Sequence, residues 1–157
     1  MSIPGWQDVW SLQIEVIDAE HRLLVETLGD LARRFTLEPG GAPEMPRADA
    51  AESVRQHDAL IAALEGLGAQ AREHFQHEEA FMRSIDYPDL GAHRSEHSLL
   101  LAEYIEMVRD LAPGPVTRLD PETVSALRAW LVGHILGPDR ELADHYFALL
   151  ETEDASA

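Results

Sequence analysis

Apolar positions recur at intervals of three and four along four stretches of the chain, the period of a helix that buries one side. In the first stretch, Ile17 to Leu37, the stripe is Leu23, Leu24, Leu28, Leu31 and Phe35, and Pro39-Gly40-Gly41 stops it. A polar segment containing Pro and Gly follows, from about Glu38 to Ala48. The second stretch is an Ala/Leu-rich pattern from Asp49 to Ile85 that ends before Pro88. At about 1.5 Å per residue it would be roughly 55 Å long, so its early part is expected to project beyond its neighbours or to break near Gly66 and Gly68. The third runs from about Asp89, a possible N-cap, to Leu111, with Pro113-Gly114-Pro115 as the stop. The fourth opens with Asp120 as N-cap and Pro121 at the first helical position. It carries Val124, Leu127, Leu131 and Ile135 on one face and continues toward Leu150 across an interruption at Gly137-Pro138. No alternating strand pattern and no repeat of fixed period accompanies them. The expected fold is all-α, an up-down-up-down four-helix bundle. It forms one domain over residues 1–157, with an extended first connection at about 38–60.

Composition narrows the chemistry. With 157 residues, 45% of them hydrophobic and 26% charged, the chain is of a size and kind that buries one core. Its formal charge of −17 makes nucleic acid and anionic membranes poor partners. All 12 basic residues are Arg, which removes Schiff-base and P-loop lysine chemistry. The absence of Cys removes disulfides, thiolate catalysis and thiolate-held metals, so any metal must be held by nitrogen and oxygen. Met1-Ser2-Ile3-Pro4-Gly5-Trp6 does not resemble a signal peptide and no run reaches 18 apolar residues. A cytoplasmic location is therefore expected.

The 8 histidines are then the chemistry to follow. Residues four apart on a helix point the same way, and two polar pairs have that spacing: His74 with Glu78, and His93 with His97. His21 lies on the stripe of the first helix, three before Leu24, and His134 lies on that of the fourth, three after Leu131. One such His is ordinarily a hydrogen-bonded core residue. Five imidazoles and a carboxylate buried together among Leu and Phe would cost several kcal/mol unless something satisfies them jointly, and a metal does so. Asp139 is a further carboxylate candidate. It lies about 140° from His134 on an ideal helix, so it joins the group only if Gly137-Pro138 distorts the helix. Asp18, three before His21, reads as a cap or as a group behind a ligand. Five imidazoles and two carboxylates exceed one transition metal's needs and imply two ions. The ligand types suit iron, manganese, zinc or copper without choosing among them.

The chain resembles single-domain bacterial hemerythrins. The resemblance rests on Trp6, Ile17-Asp18-Ala19-Glu20-His21, His74-Phe75-Gln76-His77-Glu78-Glu79-Ala80-Phe81-Met82, Tyr87-Pro88, His93 with His97, and Trp130-Leu131-Val132-Gly133-His134-Ile135 with Asp139. It covers most of the chain outside the first connection. It implies a non-heme di-iron centre with one iron on His93, His97 and His134, the other on His21 and His74, and Glu78 and Asp139 bridging. It further implies O2 as the ligand of the second iron, held reversibly by two-electron transfer in a dry pocket of Leu24, Phe75, Leu131 and Ile135. The departures are the long first connection, Gln13 where many members have Gly, and the Gly137-Pro138 pair.

The resulting expectation is an O2-binding protein for storage, delivery or sensing, more an oxygen binder than an enzyme. The alternative is a di-iron enzyme acting on peroxide or nitric oxide, for which the pocket offers no obvious proton donor. A ferritin-like oxidase is disfavoured, since no His has Glu three residues before it. His57 reads as a solvated helix residue, His77 as a surface residue, and His145 lies too far along the chain from His134 to join it. The first connection could offer a surface to an unidentified protein partner.

Overall fold

In a computed structural model the described residues are 5–36 and 49–156. A short 3-10 turn, Asp8–Trp10, leads into α1 (Glu15–Phe35), α2 (Ala50–Ser84), α3 (Leu90–Leu111), α4 (Pro121–Leu136) and α5 (Pro138–Asp154). Helix α2 packs against α1 and α3, α1 also packs against α4, and α5 continues α4 after a break. The result is the expected all-α bundle, with α4 and α5 as an interrupted fourth helix. The polar segment before Asp49 lies outside the described residues. The part of the expected connection from Ala50 onward is helix.

Helix α2 runs unbroken through Gly66 and Gly68, and none of its residues before Leu60 is buried. A glycine costs a helix about 1 kcal/mol. Leu60, Leu64 and Leu67 are buried to within 1% exposure, and each fully buried Leu returns about 1.5–3 kcal/mol, so packing wins. Gly68 also has a positive role, because a Cβ there would stand 2.9 Å from Cε1 of Tyr104. The missing side chain lets α3 approach, and the Tyr104 hydroxyl then donates to the Leu64 carbonyl at 2.7 Å. Asp49 caps α2 by accepting from Glu52 N at 2.7 Å.

At the other end of α2, Asp86 takes φ 51°, Tyr87 N donates to Met82 O at 3.0 Å and Asp86 N to Arg83 O at 3.3 Å. This is a Schellman closure built on Asp in place of the usual Gly. It leaves Asp89 with φ −94° and ψ 15°, outside the extended geometry a capping side chain needs, and Asp89 makes no cap hydrogen bond. Asp120 does cap α4, accepting from Thr123 N at 2.7 Å with Pro121 in the first turn. Leu23, expected on the buried stripe of α1, is 53% exposed, and Leu24 takes the inward place.

The buried apolar residues form two clusters. The larger joins Leu24, Leu28 and Leu31 of α1, Leu60, Leu64 and Leu67 of α2, Tyr104 and Val108 of α3, and Leu127, Leu131 and Ile135 of α4. The smaller holds Leu12, Ile14, Ile17, Met82, Tyr87 and Leu142. Along α1, α2 and the α4–α5 break, buried polar residues fall between the two: His21 between Ile17 and Leu24, His74 and Glu78 between Leu67 and Met82, Asp139 between Ile135 and Leu142; His134 lies at the edge of the larger cluster, between Leu131 and Ile135. Asp18 belongs to neither role expected of it. Its buried carboxylate accepts from Ser11 Oγ at 2.5 Å, Leu12 N at 2.8 Å and Gln13 N at 3.1 Å, tethering the lead-in segment to α1. That tether holds Gln13 at φ 60°, the left-handed conformation that glycine adopts without strain.

Candidate metal centre

Each helix delivers its polar residues inward by the spacing read from the sequence. The break at Gly137 delivers the last of them. Gly137 turns the chain out of the helix with φ −101° and ψ −97°, and α5 restarts at Pro138, which has no N–H to give the His134 carbonyl; Gly137 N bonds that carbonyl instead at 3.3 Å. The turn cancels the angular offset of an ideal helix, and Asp139 Oδ1 comes to 3.0 Å from His134 Nε2.

Seven polar side chains meet here, none more than 6% exposed: His21, His74, Glu78, His93, His97, His134 and Asp139. His21 Nε2 is 3.1 Å from His74 Nε2 and 3.1 Å from Asp139 Oδ2. His97 Nε2 is 3.0 Å from His134 Nε2 and 3.1 Å from Glu78 Oε2. His93 Nε2 lies 3.2 Å from Asp139 Oδ1 and 3.4 Å from Glu78 Oε2. Their donor atoms fall into two groups, each within 4.8 Å: Glu78, His93, His97, His134 and Asp139 in one, and His21, His74, Glu78 and Asp139 in the other. Glu78 and Asp139 belong to both.

The donor chemistry fits a cation better than it fits itself. Both oxygens of Glu78, both of Asp139 and Nε2 of His93 are buried without a hydrogen-bond partner, close to one another but not aligned to bond. Nitrogen facing nitrogen at 3.0–3.1 Å shares at most one proton. Such atoms point at common centres, and leaving them unpaired in an apolar interior costs about 1–3 kcal/mol each or more. Burial pushes the Asp139 carboxyl up, but the facing His134, His21 and His93 hold it well below the usual carboxylate range. Burial and the Asp139 charge push Glu78 up, and His93 and His97 outweigh them and lower it. Burial lowers His93, yet contacts with Asp139 and Glu78 carry it up to about 9. The two carboxylates are therefore held ionised, as metal ligands must be.

Beside the cluster lies a cavity of about 10 Å³, lined by His21, His74, Phe75, Trp130, Leu131, His134, Ile135 and Asp139. Space on the order of 10–15 Å³ admits one water-sized molecule. Phe75, Leu131 and Ile135 of the expected apolar pocket line it. Leu24 is buried but is not among the lining residues, and Trp130 stands there instead, its Nε1 donating to the Leu100 carbonyl at 3.2 Å. Phe75 stacks on His97 with ring centres 3.9 Å apart.

The remaining histidines stay outside both groups. His145 packs edge-on against Tyr87 at 5.2 Å, and His77 is exposed and donates to Glu20 at 2.6 Å. His57 is more than a solvated residue: its ring nitrogens reach the carbonyls of Val116 at 2.6 Å and Ala112 at 2.9 Å, tying α2 to the α3–α4 connection. The sequence reading also missed Glu20 and Glu79, which bond the outer nitrogens of His74 and His97. Each sits beside a stripe position, about 100° off it, where periodicity marks a solvent-facing residue. The one available signal was a carboxylate adjacent to a candidate ligand.

Comparison with known proteins agrees with this geometry. The family model described as "Hemerythrin HHE cation binding domain" matches residues 12–146. A bacteriohemerythrin of Stenotrophomonas maltophilia is 27% identical over 150 residues, which is 96% of this chain and 86% of the relative. A myohemerythrin of Theromyzon tessulatum is 26% identical over 134 residues, 85% of this chain and 86% of the relative. The fold is shared with a crystal structure of a hemerythrin mutant, with TM-score 0.70, 19% identity, and coverage of 92% of this chain and 97% of that one. Two overlapping donor groups in this bundle and a family match across nearly its whole length lead to one conclusion: the chain belongs to the hemerythrin family.

Proposed function

We infer that this protein binds O2 reversibly at a non-heme di-iron centre, for storage, delivery or sensing of oxygen. In this reading His93, His97 and His134 hold one iron, His21 and His74 hold the other, and Glu78 and Asp139 bridge them. The observation that carries it is the pair of overlapping donor groups sharing those two carboxylates. The bound irons would supply two electrons to O2 and take them back on its release.

The chain's own residues have three tasks. The imidazoles present their Nε2 atoms to the ions, five nitrogen donors arriving from four helices. Glu78 and Asp139 bring the negative charge that lets cations sit in an apolar interior. Phe75, Trp130, Leu131 and Ile135 wall the adjoining cavity with carbon, which limits the water and protons reaching it. No helix among the described residues is long and apolar enough to cross a membrane.

The test is iron per chain, with the visible spectrum recorded after anaerobic reduction, after admitting O2 and after removing it. Two irons and a band that comes and goes with O2 support the reading. Two irons passing directly to a ferric spectrum, with rapid turnover of peroxide or nitric oxide, would move the assignment to the enzymatic alternative. No iron would sink both.

A further inference from the structure

Two carboxylates outside the cluster bond histidines inside it, and they do so by the same construction. Glu20 on α1 reaches across to α2, where its Oε2 accepts from His74 Nδ1 at 2.7 Å and its Oε1 from His77 Nδ1 at 2.6 Å. Glu79 on α2 reaches across to α3, where its Oε1 accepts from His97 Nδ1 at 3.2 Å and its Oε2 pairs with Arg94 Nε at 3.2 Å. In each case the carboxylate forks between a buried histidine and a second group three residues from it on the same helix. In each case the carboxylate immediately adjoins a residue of the cluster: Glu20 precedes His21, and Glu79 follows Glu78. Arg83 adds a further contact to Glu79 at 3.4 Å.

The two forks serve different donor groups, since His74 belongs to the group with His21 and His97 to the group with His93 and His134. By contrast, Nδ1 of His21 and of His134 has no hydrogen-bond partner among the described residues. Each group thus contains one histidine oriented from outside and at least one that is not.

We propose that Glu20 and Glu79 are positioning residues, each fixing one histidine per iron position in the tautomer and ring orientation that turn its Nε2 lone pair toward the metal. A carboxylate accepting from Nδ1 keeps the proton there, leaves Nε2 free to ligate and makes it a stronger donor. His77 and Arg94 hold the carboxylates in place. The two outer holders are equally exposed, each with a side chain 55% accessible.

This proposal rests on the iron reading above, and its test separates the two. Iron-loaded wild type, Glu20→Ala, Glu79→Ala, Glu20→Gln, Glu79→Gln, Glu73→Ala and His74→Ala are placed in excess chelator, and the rate of iron release is followed alongside helix content. Alanine at either fork should speed release by about tenfold to a hundredfold with the helices intact. Glutamine should recover part of that loss, because its amide oxygen still accepts from Nδ1. Glu73→Ala removes the same charge one residue from His74 without touching a ligand, and it should release iron as wild type does. Wild-type release from both fork alanines, equal loss in alanine and glutamine, or equal loss in Glu73→Ala would each overturn the proposal. If His74→Ala also keeps its iron like wild type, the ligand assignment itself has failed. If His74→Ala loses iron and the fork alanines do not, only the positioning role has failed.

Discussion

The two halves of the interior are built on opposite terms. Around Leu60, Leu64 and Leu67 the core is carbon, and the buried Tyr104 hydroxyl among them is bonded to the Leu64 carbonyl. A few turns along the same helix, the space between His74 and Glu78 holds seven polar side chains, with the oxygens of both carboxylates unpaired. The first half is stable through burial alone. The second presents unpaired donors that cations would satisfy, so the apolar packing and the candidate binding site occupy separate parts of the interior. Mutations in the two halves should accordingly affect different measurements.

The largest effect expected is His74→Ala. It removes one of the two imidazoles of the smaller donor group, and iron per chain should fall with complete loss of the O2-dependent absorption band while the bundle stays folded. Wild-type spectra in that variant would dissolve the contrast. The counterpart in the other half is Leu64→Ala, which leaves a cavity in a fully buried site. It should cost about 2–5 kcal/mol in a denaturant titration of the iron-free protein. Its iron content and spectrum should match wild type. Altered iron binding would show that the two halves are coupled.

How much of this could be read beforehand also divides along that line. Donors that share a helical stripe are visible one helix at a time: the spacing of His74 with Glu78 and of His93 with His97 needs no partner helix to be noticed. Asp139 could be placed only because Pro138 forces a break whose direction the structure then supplied. Groups that act across helices leave no such trace. Glu20 and Glu79 sit off the stripe, and their partners lie 54 and 18 residues away. The continuity of α2 through Gly68 depended on the ring of Tyr104, and a glycine alone cannot say whether it breaks a helix or admits a neighbour. Leu23 and Leu24 are alike as residue types, but the spacing of Leu24, Leu28, Leu31 and Phe35 by four, three and four selects Leu24, and Leu23, about 100° off that stripe, is the exposed one.

Gly68→Ala sharpens the comparison at smaller amplitude. The added methyl would meet the Tyr104 ring at 2.9 Å, and that ring is held by its hydroxyl bond and by Trp130, whose centre is 5.2 Å away. Overpacking of this kind costs about 1–3 kcal/mol, outweighing the gain of roughly 1 kcal/mol in helix propensity. Thermal unfolding should show net destabilisation. A more stable variant would mean that α3 yields easily and that the apolar half is looser than its burial suggests.

The smallest effect lies at the far end of α2, where His57 bonds two backbone carbonyls and so must donate from both ring nitrogens. Only the imidazolium can do that. The bonds to Val116 and then Ala112 raise its pKa above the ordinary 6.5. Because the folded value is the higher one, the clamp contributes fully below pH 6.5 and is lost as pH rises through the folded value. His57→Gln cannot donate twice in this geometry and has no charge to lose. The melting temperature of iron-loaded wild type should exceed that of His57→Gln at pH about 6, and the gap should close toward pH about 9. Taking the difference between the two proteins cancels the titration of the cluster histidines, which both share. A gap that widens with pH would reverse the sign and show that His57 binds the connection as a neutral ring.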